Sequence, residues 1–264
     1  MSKIHPTSII DPGAIIGDDV EIGPYCIIGA GVELGAGCWL QNHVTLQGPT
    51  KIGPNNRFYQ SAAIGQQTQD LKYKAEPTYL EIGANNTFRE FATVHRATSA
   101  GDKTIIGDHN NFLAYSHVGH DCIIGSHVIF SNNGTVGGHV VVEDYAIISG
   151  LSAVHQFCRI GRLSFIGGCA KIVQDVPPFC IADGNPGRAR GLNFVGLQRA
   201  GLDEAAIKAL RKAYRTFYRS GLNASQALDE IGATQMTAEV TAFADFAKST
   251  KRGLIPAGKA QGEE

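Results

Sequence analysis

The sequence predicts a mainly β protein, a prism of stacked three-sided coils followed by a C-terminal α-helical domain. Three observations predict it. An apolar residue returns at every sixth position from Ile4 to Ile172 with two interruptions, glycine is abundant at 32 of 264 residues, and from Asp203 onward the period becomes that of amphipathic helices. A period of six matches neither the 3.6 of a helix nor the 2 of a flat strand. It matches short strands joined by turns, each sending one large and one small side chain inward while its backbone pairs with the coils above and below.

The hexads open with Ile4, Ile10, Ile16 and Ile22, pass through Phe58, Phe88, Phe112 and Phe130, and close with Ile160, Ile166 and Ile172. The residue after each is often glycine, and the fourth after it is mostly small, as at Ala92, Ser116, Ala146 and Ser164. Three hexads make a coil of about 18 residues, and coils stack at about 4.8 Å, the spacing of paired strands. Residues 18 apart therefore stack wherever no loop intervenes. The pattern lapses at QQTQDLKYKAEPTY (66–79) and ATSAGDK (97–103) and resumes in phase each time, which predicts loops at 66–80 and 97–104 of a prism spanning 1–190.

Four of the six cysteines, Cys26, Cys38, Cys122 and Cys158, fall in the small inward slot, which predicts reduced, buried space-fillers rather than a disulfide framework. No CxxC pair suggests zinc. After Ile172, the two prolines of QDVPPF are expected to end the regular strands. The stretches LDEAAIKALRKAYRTFYRS, ASQALDEI and TAEVTAFADFAKST then carry helical spacing, with Asp203 as a first cap and Gly221 as a stop. Residues 191–264 are accordingly expected to form the α-helical domain.

A formal net charge of -1 and 43% hydrophobic residues describe a soluble globular chain. No stretch approaches the roughly 18 unbroken apolar residues of a membrane span. The opening MSKIHPTSII has no charged-then-apolar leader, so an unprocessed cytoplasmic protein is expected, with no membrane insertion. Charge is uneven along the chain: residues 159–219 hold eleven Lys or Arg against four acids, a net +7, which suits an acidic partner. Without an aromatic stacking platform, nucleic acid is not the expected one.

YSHVGHDCIIG (115–125) concentrates the chemistry. His120 is two residues past Val118, at a turn, and so faces out of the prism. Eighteen residues further lies Gly138, and eighteen past Asp121 lies His139, within VGGHV. The next coil adds Gln156 with His155 beside it, and His95 joins the column below once six loop residues are discounted. A lone outward histidine is usually inert, as expected for His109 and His127. Four imidazoles, a glutamine, an aspartate and two glycines on successive coils call for a function. One chemistry has His120, an imidazole with an ordinary pKa of about 6.5, take a proton from an alcohol as it attacks an acyl carbonyl. Asp121 would orient the ring and the Gly138 N–H would hold the oxyanion, with neither metal nor cofactor. A second has His117, His120 and His139 bind zinc and activate water, as in a β-helical hydratase. A non-catalytic prism is the third reading.

The blocks TQDLKY, HDC, GGHV, AVHQFC and QDVPP, followed by a short helical tail, resemble the UDP-N-acetylglucosamine O-acyltransferases that open lipid A biosynthesis, over nearly the whole chain. The related N-acyltransferases carry a domain before their hexads, whereas here the hexads start at Ile4. The resemblance implies a left-handed parallel β-helix, an exception to the usual crossover hand, and a homotrimer with sites between subunits. It implies a 3-hydroxyacyl acyl carrier protein as donor and the glucosamine 3-hydroxyl of UDP-N-acetylglucosamine as acceptor. By motif, His120 corresponds to the general base, Asp121 to its support and Gly138 to the oxyanion donor. Gln69, Asp70 and Lys72 correspond to a loop that reaches substrate, and His95, His117, His139, His155 and Gln156 to the cleft. Asn193 and Arg199 correspond to the nucleotide end, and Gly168 to an acyl-length ruler whose glycine admits a chain around C14. Val195 stands where the family carries an acid, and Ala200 where it carries a second arginine.

Overall fold

The computed structural model describes residues 2–234 and 236–258. Residues 259–264, assigned from sequence to the helical domain, lie outside the described residues. Among the described residues, twenty-eight short strands form three faces of 11, 9 and 8 strands, and all but the last pair with strands one coil away. Ile4 pairs with Ile22, Ile22 with Leu40 and Leu40 with Phe58, all parallel, which is the 18-residue stack expected from the hexads. The coils wind as a left-handed parallel β-helix. Its turns repeatedly place a residue in the left-handed region, including Asp121 (φ 60°), His139 (φ 60°) and Phe157 (φ 65°). Such a backbone costs an ordinary residue roughly 1–2 kcal/mol. The pairing of every turn with the next offsets that cost, as in the bond from the His139 N–H to the His120 carbonyl at 2.9 Å.

Two insertions interrupt the 18-residue register. Ala63 pairs with Thr93, an offset of 30 residues, and Thr93 pairs with His117, an offset of 24, so twelve and six residues leave the prism. Both leave at the corner between the second and third faces, the corner at which His120 lies two coils and one coil further along.

Inside, Phe58, Phe88, Phe112 and Phe130 stack up the first face with ring centroids 4.7–5.1 Å apart. The small inward slot is not always small and apolar. Asn56, Asn86 and Asn110 occupy three such slots, fully buried, and form a ladder: Asn56 Oδ1 accepts from the Asn86 N–H, Asn86 Oδ1 from the Asn110 N–H and Asn110 Oδ1 from the Val128 N–H, each at 2.7–2.8 Å. Burial is tolerable because the amide groups are hydrogen-bonded. Cys26, Cys38, Cys122 and Cys158 are free and buried, and burial pushes the Cys122 thiol up to about 12. A thiol held that high is no nucleophile at neutral pH.

The prolines at 177 and 178 delay the prism rather than end it. Cys180–Asp183 adds one more parallel strand to the first face, against Phe165 and Ile166, and Arg188–Leu192 then turns back antiparallel on it. Pro177 and Pro178 sit in the connection, where no ladder N–H is needed. Among the described residues four helices follow: α1 (Phe194–Arg199), α2 (Glu204–Arg219), α3 (Ala224–Gly232) and α4 (Ala238–Ser249). Asp203 caps α2 by accepting from the Ala206 N–H, and Gly221, at φ 79°, follows its end. No helix among the described residues is long and apolar enough to cross a membrane.

Candidate active site

The turn after His117–Val118 carries Gly119, His120 and Asp121 outward at the corner between the second and third faces, and the coil above repeats it as Gly137, Gly138 and His139. His120 Nδ1 lies 2.7 Å from Asp121 Oδ2, and its Nε2 edge faces the backbone of Gly138 so closely that a Cβ there would collide with Cε1 and Nε2. The Gly138 N–H makes no hydrogen bond among the described residues. That is a property of this turn position: Pro24 and Pro54, which have no N–H, occupy it in earlier coils. What distinguishes Gly138 is the imidazole beneath it.

Burial opposes ionisation of Asp121, but the His120 hydrogen bond, the His139 imidazole and the backbone and side chain of Thr98 outweigh it and hold the carboxyl below its ordinary range. An ionised Asp121 requires the proton on Nδ1 of neutral His120, which leaves an unprotonated Nε2 aimed at the cleft. His139 stands edge-on to His120 at 5.1 Å, with its Nε2 3.7 Å from Asp121 Oδ2, and stacks flat on Phe157 of the next coil at 4.6 Å. Below, His95 and His117 meet edge to face at 5.1 Å. Burial, then the neighbouring His117 and His120, depress His95 to about 4; burial and His120 likewise lower His117. Both are therefore neutral at pH 7.

His155 and Gln156 occupy the same corner one coil above Gly138, both exposed. Asp70 and Lys72 lie in the first loop, with the Lys72 N–H on Asp70 Oδ1 at 2.9 Å, and Lys72 and Gln69 are both exposed. Asn193 and Arg199 do not join this group within one chain. They line a cavity of about 940 Å³ between the helices and the outer surface of the first face, with Tyr145, Arg162, Val195 and Ala200. Gly168 lies at the remaining corner, exposed, where a Cβ would meet only the Gly150 carbonyl oxygen at 3.5 Å. One chain thus sets the predicted base, the nucleotide residues and the ruler on three different edges.

Sequence reasoning missed Thr68, Thr98 and Phe157. Phe157 was within reach of the 18-residue ruler, one step above His139. The threonines were not, because they stand at the roots of the two loops, where the ruler lapses.

His120, Asp121 and His139 also form a group that could hold a metal ion, their ligand atoms within 4.8 Å of one another. Two ligands of one tetrahedral zinc at its usual bond lengths stand about 3.3 Å apart. The 2.7 Å between His120 Nδ1 and Asp121 Oδ2 is a hydrogen-bond distance instead.

Two family profiles match the chain: that described as "Bacterial transferase hexapeptide (six repeats)" over residues 1–36, and "Udp N-acetylglucosamine O-acyltransferase; Domain 2" over residues 175–255. An acyl-[acyl-carrier-protein]--UDP-N-acetylglucosamine O-acyltransferase from Pseudomonas syringae pv. tomato is 51% identical over 97% of this chain and 100% of its own length. One from Halorhodospira halophila is 46% identical over the same shares. The chain belongs to the UDP-N-acetylglucosamine O-acyltransferase family. A solved member from Moraxella catarrhalis superposes with a TM-score of 0.92 at 45% identity, covering 96% of this chain and 99% of that one. An Arabidopsis UDP-N-acetylglucosamine acyltransferase gives 0.87 at 38% identity, over 96% and 99%. Membership of this family covers prism and helices alike, so the hexads here are part of an acyltransferase and not a bare scaffold.

Proposed function

We propose that this chain is a cytoplasmic, homotrimeric acyltransferase that moves a 3-hydroxyacyl group from acyl carrier protein to the glucosamine 3-hydroxyl of UDP-N-acetylglucosamine. The carrying observation is that the Nε2 edge of His120 faces the backbone of Gly138, with Asp121 behind the ring. His120 Nε2 takes the 3-hydroxyl proton as that oxygen attacks the thioester carbonyl. The Gly138 N–H receives the oxyanion, and collapse breaks the C–S bond, forms the ester and returns the proton from His120 to the departing thiolate. Asp121 holds the proton on Nδ1 and stabilises the transient imidazolium, as a carboxylate does in other His-based transfers.

The separation of His120, Asn193 and Gly168 onto three edges supports a site completed between subunits, where one chain's catalytic corner meets the next chain's cavity. There Asn193 and Arg199 would hold the nucleotide and Gly168 would bound the acyl chain. Lys72, on its exposed loop, would contact a phosphate or carbonyl beside Gln69 and Asp70, with His95, His117, His139, His155 and Gln156 lining the cleft. The basic 159–219 segment suits the acidic carrier protein. The test is acyl transfer from 3-hydroxyacyl carrier proteins of graded length to UDP-N-acetylglucosamine and its 3-amino counterpart. The reading requires turnover with the 3-hydroxyl sugar and a preference for longer chains, and an inert 3-hydroxyl sugar would refute it.

A further inference from the structure

Two buried threonines at the roots of the two loops join the catalytic corner by side-chain hydrogen bonds. Thr98 Oγ1 lies 2.9 Å from His120 Nδ1, and the Thr98 N–H donates to Asp121 Oδ2 at 3.1 Å. Behind it, Thr98 Oγ1 lies 2.8 Å from Thr68 Oγ1, which itself accepts from the Asp70 N–H at 3.1 Å. A continuous path therefore runs from the first loop, through Thr68 and Thr98, to the Nδ1 edge of His120.

The polarity of this path follows from the partners. Asp121, as an ionised acceptor 2.7 Å from Nδ1, requires a proton on Nδ1. Thr98 Oγ1 shares that edge and must present a lone pair to it, because a hydroxyl donating to Nδ1 would demand the other tautomer and set carboxylate and bare nitrogen against each other. The Thr98 hydroxyl hydrogen then has to go elsewhere, and Thr68 Oγ1 is the acceptor 2.8 Å away. Both side chains are buried, at 9% and 5% exposure, so water does not compete for these positions.

We infer that Thr98, backed by Thr68, is a positioning residue that fixes the His120 ring in the tautomer presenting an unprotonated Nε2 to Gly138 and ties that state to the substrate-reaching loop. The inference rests on His120 being the base. It gives the first loop a second role: the Asp70 N–H holds the Thr68 hydroxyl in place, so displacement of Asp70 frees Thr68 to turn away from Thr98 and loosens the ring two coils away.

The test compares Thr98→Val, which keeps shape and removes the hydroxyl, with Thr98→Ser, which restores it, and with Thr68→Val. Steady-state kinetics with acyl carrier protein donor and UDP-N-acetylglucosamine are read beside the ¹⁵N shifts of the His120 ring in the intact protein. Thr98→Val is expected to lower kcat about tenfold with KM within twofold, and to raise the fraction of His120 protonated at Nε2. Thr98→Ser is expected to recover both readouts, and Thr68→Val to move both in the same direction by less. Wild-type kcat and tautomer in Thr98→Val, with His120→Ala inactive, overturn the inference and leave the base assignment standing. An active His120→Ala overturns the base assignment itself. Should Thr98→Val fail to fold, Thr68→Val decides alone, and an unchanged tautomer and kcat there count against the inference.

Discussion

His120 and Gly138, 18 residues apart in sequence, face each other across one turn of the coil, with the Nε2 edge of the ring against a backbone that has no side chain. The space is closed to any larger residue. Gly138→Ala is therefore expected to push the imidazole off its position and lower kcat by about 10²-fold, the typical contribution of a placed general base. Thermal unfolding should change little, since Gly138 is not at positive φ and alanine fits its backbone. Parallel melting curves and kcat measurements check this, and an active Gly138→Ala would show that the contact is incidental.

His95 makes a prediction about stability instead. Among the described residues its buried Nδ1 has no partner, and its pKa is depressed to about 4. Between about pH 4 and 6.5 the unfolded chain binds a proton at this site that the folded chain refuses, so stability rises with pH across that window and is lost as pH falls through it. The effect amounts to roughly 3 kcal/mol at most. Replacing His95 by Gln should flatten the dependence of the melting temperature on pH between 4 and 6.5, and an unchanged slope would assign it to other groups.

Gly168 is open enough that a side chain can enter without disturbing the prism. Gly168→Met is expected to keep the wild-type melting temperature and shift donor preference toward chains several methylenes shorter. Competition between carrier proteins charged with C10 and C14 hydroxyacyl chains measures it. An unaltered ratio would remove Gly168 from the acyl site.

Arg199 lines the cavity with Asn193, beside Val195 and Ala200. In the proposed site Arg199 meets the charge of the nucleotide. Arg199→Ala should raise KM for UDP-N-acetylglucosamine at least tenfold while kcat stays within a few-fold, because a contact made equally in ground and transition states acts on binding alone. Equal loss in kcat would place Arg199 nearer the chemistry.

Much of this was legible because a β-helix converts sequence distance into height. The ruler stacks Asp121 beneath His139 and His120 beneath Gly138, and it places Cys122 inside the prism. It also returned the six extra residues of the second loop, since Thr93 pairs with His117 at an offset of 24 rather than 18. It had no purchase where the chain leaves the prism: Thr68 and Thr98 belong to no register, and only folding brings their hydroxyls together. The extra strand at Cys180–Asp183 was hidden because the prolines before it sit in a connection rather than in the ladder. The Asn56, Asn86 and Asn110 ladder was obscured for a different reason, since buried amides are tolerated only when each has the next coil to bond to. Handedness and subunit number are not carried by periodicity at all.

The most direct measurement is the turnover of His120→Ala with a 3-hydroxyacyl carrier protein and UDP-N-acetylglucosamine, made with and without a chelator and alongside the melting temperature. The account predicts a loss of 10²-fold or more in kcat, a variant that still folds because the ring stands outside the prism core, and wild-type activity indifferent to chelation. Substantial turnover by the alanine variant, or wild-type activity abolished by the chelator, would contradict it.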